Sequence, residues 1–214
     1  METIERYLRQ IEQGGVIAAI RCRVALDLML AVGDALHATP ITTVMISHGS
    51  CQPWEIVAEL HHRYGASMLV GAGPLATTMQ AIAAVDAGAQ FITTGGYASE
   101  IDNLCRRHHL LYIPGVRTAE EARRVLATGV RAMSLFPVRS LDVALFAQIA
   151  QTDVALRVVA MGGVDVRNLG EYAHVGVSAV VVRGVIGATA QWRMHDAIVA
   201  LRRLRSVWTA PLEE

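Results

Sequence analysis

Eight short stretches of the chain are almost unbroken in apolar, largely β-branched character: Val16–Arg21, Thr42–Ser47, Ser67–Val70, Phe91–Thr94, Leu110–Ile113, Ala132–Phe136, Arg157–Met161 and Ala179–Val182. A strand with one wet face alternates apolar and polar residues. A run without alternation is covered on both faces, as parallel strands between helices are. Between these runs lie helical patterns, at about Val24–His37, Pro53–Arg63, Leu75–Ala87, Ser99–Arg107, Thr118–Thr128, Leu141–Ile149, Asn168–Ala173 and Ala190–Leu204. A further helix at Glu2–Gln13 precedes the first strand, placed to close the bottom of whatever the strands build.

Local signals agree with these boundaries. Thr118-Ala119-Glu120-Glu121 has the spacing of a capping box. Gly88 and Gly129 follow helix ends, where a residue free to adopt positive φ is favoured, and Pro53 suits a first turn. Strand and helix alternating eight times predict an α/β protein, a small (β/α)8 TIM barrel with an extra N-terminal helix, as one domain over residues 1–214. An open doubly wound sheet is the alternative, but it uses fewer strands.

Composition narrows the function classes. Apolar residues make up 53% of the 214 and charged residues 18%, enough for a large core and unlike a disordered chain. Acids and bases balance at 19 each, so no overall basic field exists to attract nucleic acid. The first residues are charged, and no apolar run nears the ~20 residues of a membrane span. Cys22, Cys51 and Cys105 make no disulfide framework. The expectation is a cytoplasmic protein without nucleic-acid or membrane partners. The chain also contains no lysine: all 19 basic side chains are arginine. Chemistry that requires a lysine amine, Schiff-base formation included, is therefore closed to it.

In a barrel of this kind, function gathers in the loops that follow the strands. The loops after the seventh and eighth strands carry Gly162-Gly163 and Arg183-Gly184, which suit either tight turns or backbone N–H groups cradling a phosphate. Arg21, Arg117, Arg139 and Arg183 recur on the same face and offer planar forks to carboxylate or phosphate, or are solvated surface residues. His48 is the one histidine there and the best candidate general base, but a base needs a positioned partner, and without one a turn role is favoured for His48. No metal site is expected. His61-His62 and His108-His109 are adjacent pairs that do not share a helix face, and Cys22, His48 and Cys51 lack a fourth ligand. No cofactor is expected either.

Several segments together are more specific: Val70-Gly71-Ala72-Gly73, Ala87-Gly88-Ala89-Gln90-Phe91, Tyr112-Ile113-Pro114-Gly115-Val116, Phe136-Pro137 and Met161-Gly162-Gly163-Val164. With Gly15 through Arg21 they resemble the 2-keto-3-deoxy-6-phosphogluconate (KDPG) / 4-hydroxy-2-oxoglutarate (KHG) aldolase family over nearly the whole chain. The resemblance implies a class I aldolase barrel, usually a homotrimer. In that family a lysine in the sixth strand forms the Schiff base, a glutamate at the end of the second shuttles protons, and arginines and glycine loops hold carboxylate and phosphate. The anion-binding positions are matched here by Arg21, Gly162, Gly163 and Gly184. The chemical positions are not. Ser134 stands at the lysine position, Met45 at the glutamate, Gly49 at the second-strand arginine, Pro74 at the threonine, and Arg183 at the first glycine of the last loop.

Serine cannot form an iminium, and losing a proton shuttle costs ~10²–10⁴-fold by itself. The reading is therefore a lyase-family barrel without conventional aldolase activity, a pseudoenzyme or an altered enzyme, that binds a small phosphorylated or keto-acid anion. Two alternatives stand beside it: a different enzyme on the same scaffold, an isomerase or a lyase using His48, Ser134 or a metal, and a non-catalytic oligomer subunit associating through Trp192 and Trp208.

Overall fold

The computed structural model describes residues 2–21, 26–138, 143–150, 155–184 and 194–210. In chain order the elements are α1 (Glu2–Gly14), β1 (Val16–Ile20), α2 (Leu26–His37), β2 (Thr43–Ile46), α3 (Pro53–Tyr64), β3 (Leu69–Leu75), α4 (Thr78–Asp86), β4 (Phe91–Thr94) and α5 (Ser99–Arg107). They continue with β5 (Leu111–Val116), α6 (Ala119–Leu126), β6 (Ala132–Leu135), α7 (Val143–Ala150), β7 (Arg157–Met161), α8 (Leu169–His174), β8 (Ala179–Arg183) and α9 (Met194–Thr209). The strands pair in sequence order and close on themselves, β1 lying parallel to β8 with Val16 opposite Val180 and Ala19 opposite Arg183. This is the (β/α)8 barrel, and its closure excludes the open sheet.

The unbroken apolar runs have a direct cause. Alternate residues of each strand face two different cores. Ile17, Ala19, Met45, Leu69, Phe91, Ala132, Met161 and Val181 fill the barrel interior. Val16, Ala18, Val44, Val70, Ile92, Met133, Ala160 and Val180 pack outward into the helix layer. Both faces are dry, so neither admits a polar alternation. Beneath the barrel, α1 inserts Tyr7, Leu8 and Ile11 into the interior cluster, as its position in the sequence predicts. Burying side chains of this size stabilises the fold by roughly 1.5–3 kcal/mol each.

Two segments read as loops are strand. β3 runs on through Gly71-Ala72-Gly73-Pro74, and β5 through Pro114-Gly115-Val116. Glycine and proline ordinarily break strands, but here each has a place. Pro74 falls in the irregular stretch between the Ala72–Ile92 and Leu75–Thr94 pairs, where no ladder donor is missed. A Cβ at Gly115 would lie 2.7 Å from the carbonyl oxygen of Gly95, so only glycine lets β5 approach the end of β4 this closely. Trp208 also finds its partner within the chain. Its indole covers Gly15, where a Cβ would sit 1.9 Å from Nε1. Trp192 lies outside the described residues.

Candidate active site at the barrel mouth

Strand alternation decides what reaches the mouth. Thr93 shares the inward face of β4 with Phe91, and Ser134 shares that of β6 with Ala132. Ser134 is fully buried. Its hydroxyl has one hydrogen-bond partner among the described residues, the Pro114 carbonyl oxygen at 3.5 Å. That is the outer limit of a hydrogen bond, and among the described residues no histidine or carboxylate is arranged to draw off the proton. Met45, also buried, points into the same space, and Thr93 Oγ1 donates to its Sδ at 3.3 Å. Thr93 in turn occupies the room left by Gly73, where a Cβ would stand 1.9 Å from Oγ1. One layer down, Phe91 covers Gly71 in the same manner. The centre of the barrel is thus packed with thioether, methyl and aromatic groups; the hydroxyls of Thr93 and Ser134 are spent on internal contacts, while Thr43 Oγ1, on the same face of β2 as Met45, is buried without a hydrogen-bond partner among the described residues. Among the described residues, no amine and no carboxylate lies in this floor.

The cationic groups stand above this floor. Arg183 ends β8 on the inward face that holds Ala179 and Val181, and its side chain is exposed. Arg21 follows β1 and lays its guanidinium against the loop after β2: a Cβ at Gly49 would lie 3.1 Å from both Nε and Nη2. The missing side chain at Gly49 therefore gives Arg21 its resting place. Arg21 and Arg183 flank the seam where β1 meets β8. Neither has a carboxylate partner among the described residues. Arg117 differs, because it is drawn toward α6: its backbone N–H donates to Glu121 Oε2 at 2.8 Å and its Nη2 to Oε1 at 3.4 Å. Arg139 lies outside the described residues.

The loop after β7 is built on left-handed glycines, Gly162 at φ 83° and Gly163 at φ 93°. A Cβ at Gly162 would approach the Phe136 ring to 3.1 Å. Asn168 fastens the turn, its Nδ2 donating to the Gly163 carbonyl at 2.9 Å and its Oδ1 accepting from the Asp165 N–H at 2.8 Å. Asp165 closes the next turn, accepting from the Arg167 backbone N–H at 2.8 Å. The Arg167 side chain on the same carboxylate is the main cause holding the Asp165 carboxyl below its usual range. Gly184, at φ 78°, opens the loop after β8.

His48 is exposed on the loop after β2 and has no hydrogen-bond partner among the described residues. No group of three or more His, Cys, Asp or Glu side chains able to hold a metal occurs among those residues. Cys51 is exposed, and Cys22 lies outside them. Cys105 is buried on α5, and burial pushes its thiol up to about 12, which makes it unreactive.

Sequence inspection missed two features. Thr93 was legible in principle, since it sits two residues after Phe91 and must share its face. The buried Asp102 was not. It accepts from Arg106 Nε at 2.9 Å and from the Tyr97 hydroxyl at 2.9 Å, and with Tyr112 bridging Thr94 and the Ala98 N–H it secures the connection from β4 to α5.

Comparison with known proteins places this geometry. The family model described as KDPG and KHG aldolase matches residues 7–201. A 2-dehydro-3-deoxy-phosphogluconate aldolase of Treponema pallidum is 37% identical over 116 residues, 53% of this chain and 55% of that protein. The match thus spans little more than half of that relative's length. A solved 4-hydroxy-2-oxoglutarate/2-dehydro-3-deoxyphosphogluconate aldolase superposes with a TM-score of 0.83 at 23% identity, covering 94% of this chain and 98% of its own. A KDPG aldolase from Legionella pneumophila, with pyruvate captured as a covalent carbinolamine intermediate, superposes with a TM-score of 0.76 at 20% identity, covering 94% and 95%.

Proposed function

The chain belongs to the KDPG and KHG aldolase family, and from that premise we propose that it is a member whose mouth binds a small 2-oxo acid or phosphorylated metabolite without forming a Schiff base. The observation that carries this reading is the floor of the barrel. Ser134 is fully buried with only a carbonyl as its partner, Met45 is buried against Thr93, and the sequence contains no lysine. A carbinolamine, as captured in the Legionella enzyme, requires an amine. Here no side chain supplies one.

Arg21 and Arg183 then receive the anionic group of the ligand. Each is a fork with no carboxylate competing for it among the described residues, and a guanidinium binds a carboxylate or phosphate in two parallel hydrogen bonds. The N–H groups of the Gly162-Gly163 turn and of Gly184 face a second anionic end. Arg117, paired with Glu121, contributes at longer range; Arg139, which the sequence adds to this set, lies outside the described residues. The protein works in the cytoplasm as a single-domain barrel that assembles into a homotrimer, and it carries neither metal nor cofactor.

The test is thermal unfolding in the presence of pyruvate, 2-oxoglutarate and phosphorylated sugar acids. A ligand at one hundred times its Kd stabilises the fold by ~2.7 kcal/mol. A rise in Tm that disappears in Arg21→Gln and Arg183→Gln is the expected result. Absence of any shift at millimolar concentration, or robust retro-aldol turnover by the pure, metal-stripped protein, overturns the proposal.

A further inference from the structure

We infer that the opposite end of the barrel carries a second anion site, a groove of about 440 Å³ beside α1 that takes a small phosphate-bearing polyanion. Its walls bring together Arg6, Arg9, Gln10 and Gln13 from α1 and Arg205 from α9, over the chain entering β2 and β3. No carboxylate lines it among the described residues.

The amphipathic pattern of α1 explains how the charges were sorted. Residues three, four and seven apart share a helix face. Tyr7, Leu8 and Ile11 face the barrel. Glu5 and Glu12, seven apart, reach arginines of the strand layer: Glu5 pairs with Arg131, and Glu12 accepts from Arg157 Nε at 2.9 Å. Arg6, Arg9, Gln10 and Gln13 form the remaining face and look into the groove. Glu5 and Glu12 are thus consumed on one side, while Glu2, four residues before Arg6 on the arginine face, does not line the groove and forms no ion pair with its arginines among the described residues.

A second cavity makes the contrast. On the other flank of α1 lies a cavity of about 290 Å³ that also contains two arginines, Arg106 and Arg131. There each is neutralised, Arg106 by Asp102 and Arg131 by Glu5. That cavity is electrically complete. The groove beside α1 is not.

The groove is also prepared for a ligand. Arg205 is anchored by one N–H, Nη1 donating to the Gly14 carbonyl, and keeps the rest of its fork. Gln10 spends its amide N–H groups on the Thr42 carbonyl at 3.0 Å and the Ser67 carbonyl at 3.3 Å, which fixes the floor. Arg6 is held by its own neighbour, with Cζ 5.3 Å from the centroid of the Tyr7 ring. Arg9 has no partner among the described residues. Three guanidinium groups around a space of this size fit a molecule with at least two anionic groups. The balance of 19 acids and 19 bases over the whole chain favours a small ligand over a polyelectrolyte, because no extended field surrounds the groove.

The experiment is calorimetric titration with inorganic pyrophosphate at physiological ionic strength, on the wild type, the Arg6→Gln/Arg9→Gln variant and the Arg21→Gln/Arg183→Gln variant. Both altered pairs are surface side chains, and circular dichroism verifies folding of each variant. Pyrophosphate binding that weakens at least tenfold in the first variant and persists in the second is the expected result. Binding unchanged in the first variant, binding lost only in the second, or no heat from the wild type at millimolar pyrophosphate overturns the groove as a site. Preference for an oligonucleotide or an anionic vesicle, abolished by the same Arg6 and Arg9 changes, overturns the small-ligand assignment. The mouth proposal stands or falls separately, on 2-oxo acid binding by the second variant.

Discussion

Ser134 and Met45, which we propose stand at the two positions on which class I chemistry depends, have each settled into an apolar wall. A hydroxyl at the limit of hydrogen bonding and a thioether receiving a threonine proton are stable, inert arrangements. Changing Ser134 to lysine would place an amine in that dry wall, where desolvation lowers its pKa toward neutrality and leaves part of it nucleophilic. Borohydride reduction in the presence of pyruvate should then trap an adduct on the peptide containing position 134 of Ser134→Lys and none on any side chain of the wild type. Failure to trap an adduct in a folded variant would show that the wall obstructs the ketone as well as lacking the amine. At this scale the sequence was most informative. The absence of lysine is a property of composition, and no arrangement of the chain can reverse it. What it could not reveal was where the surviving polar groups spend their hydrogen bonds. Arg117 answering to Glu121 and Arg21 resting over Gly49 depend on side-chain directions that spacing does not encode.

The elements were legible where periodicity and capping agree. β4, β7 and α5 have the limits that their apolar and polar residues dictate. The capping box read at Thr118 is half present: its hydroxyl accepts from the Glu121 N–H at 3.1 Å, but Glu121 reaches back to the Arg117 N–H, one residue before the cap. The complete box lies at Thr77 and Gln80, where α4 starts later than apolar pattern alone suggests. Thr77→Ala removes the acceptor for one helix-end N–H and should cost about 1 kcal/mol in urea unfolding, without affecting ligand binding at the mouth. Gly15→Ala should cost more. It combines a φ of 67° with a Cβ driven into the Trp208 indole, and the displaced ring should be visible as a change in tryptophan fluorescence of the native protein. The extra length of β3 and β5 was hidden because Gly and Pro announce a turn unless the neighbouring strand is known. The closeness of the Gly95 carbonyl to Gly115 is a tertiary fact.

For the molecule as a whole, buried acids set an alkaline limit. Cys105 and Tyr112 are both raised to about 12, chiefly by burial, from 9.0 and 10.0. Each stays protonated in the folded protein while its unfolded counterpart ionises, so the unfolded state gains as pH rises. The stability they confer is intact below about pH 9 and is lost progressively up to about pH 12, at up to ~1.4 kcal/mol per pH unit per group. Urea unfolding should show the decline beginning near pH 9, and Cys105→Val should delay its onset by about one unit, to where tyrosine takes over. A wild-type stability that is flat between pH 9 and 11 would contradict the burial of these groups.

The pairing of β1 with β8 imposes an order on synthesis. Val16 through Ala19 leave the ribosome well before their partners, Val180 through Arg183, which follow only after the other six strands. Until then the first strand has one bare backbone edge, and the Tyr7-Leu8-Ile11 plug has no finished cylinder to enter. Such an edge readily recruits a neighbouring chain. Nascent copies on one polysome are therefore exposed to cross-pairing until Val180 through Arg183 have been made, and a chain truncated before Val180 should be found with chaperones or in inclusion bodies.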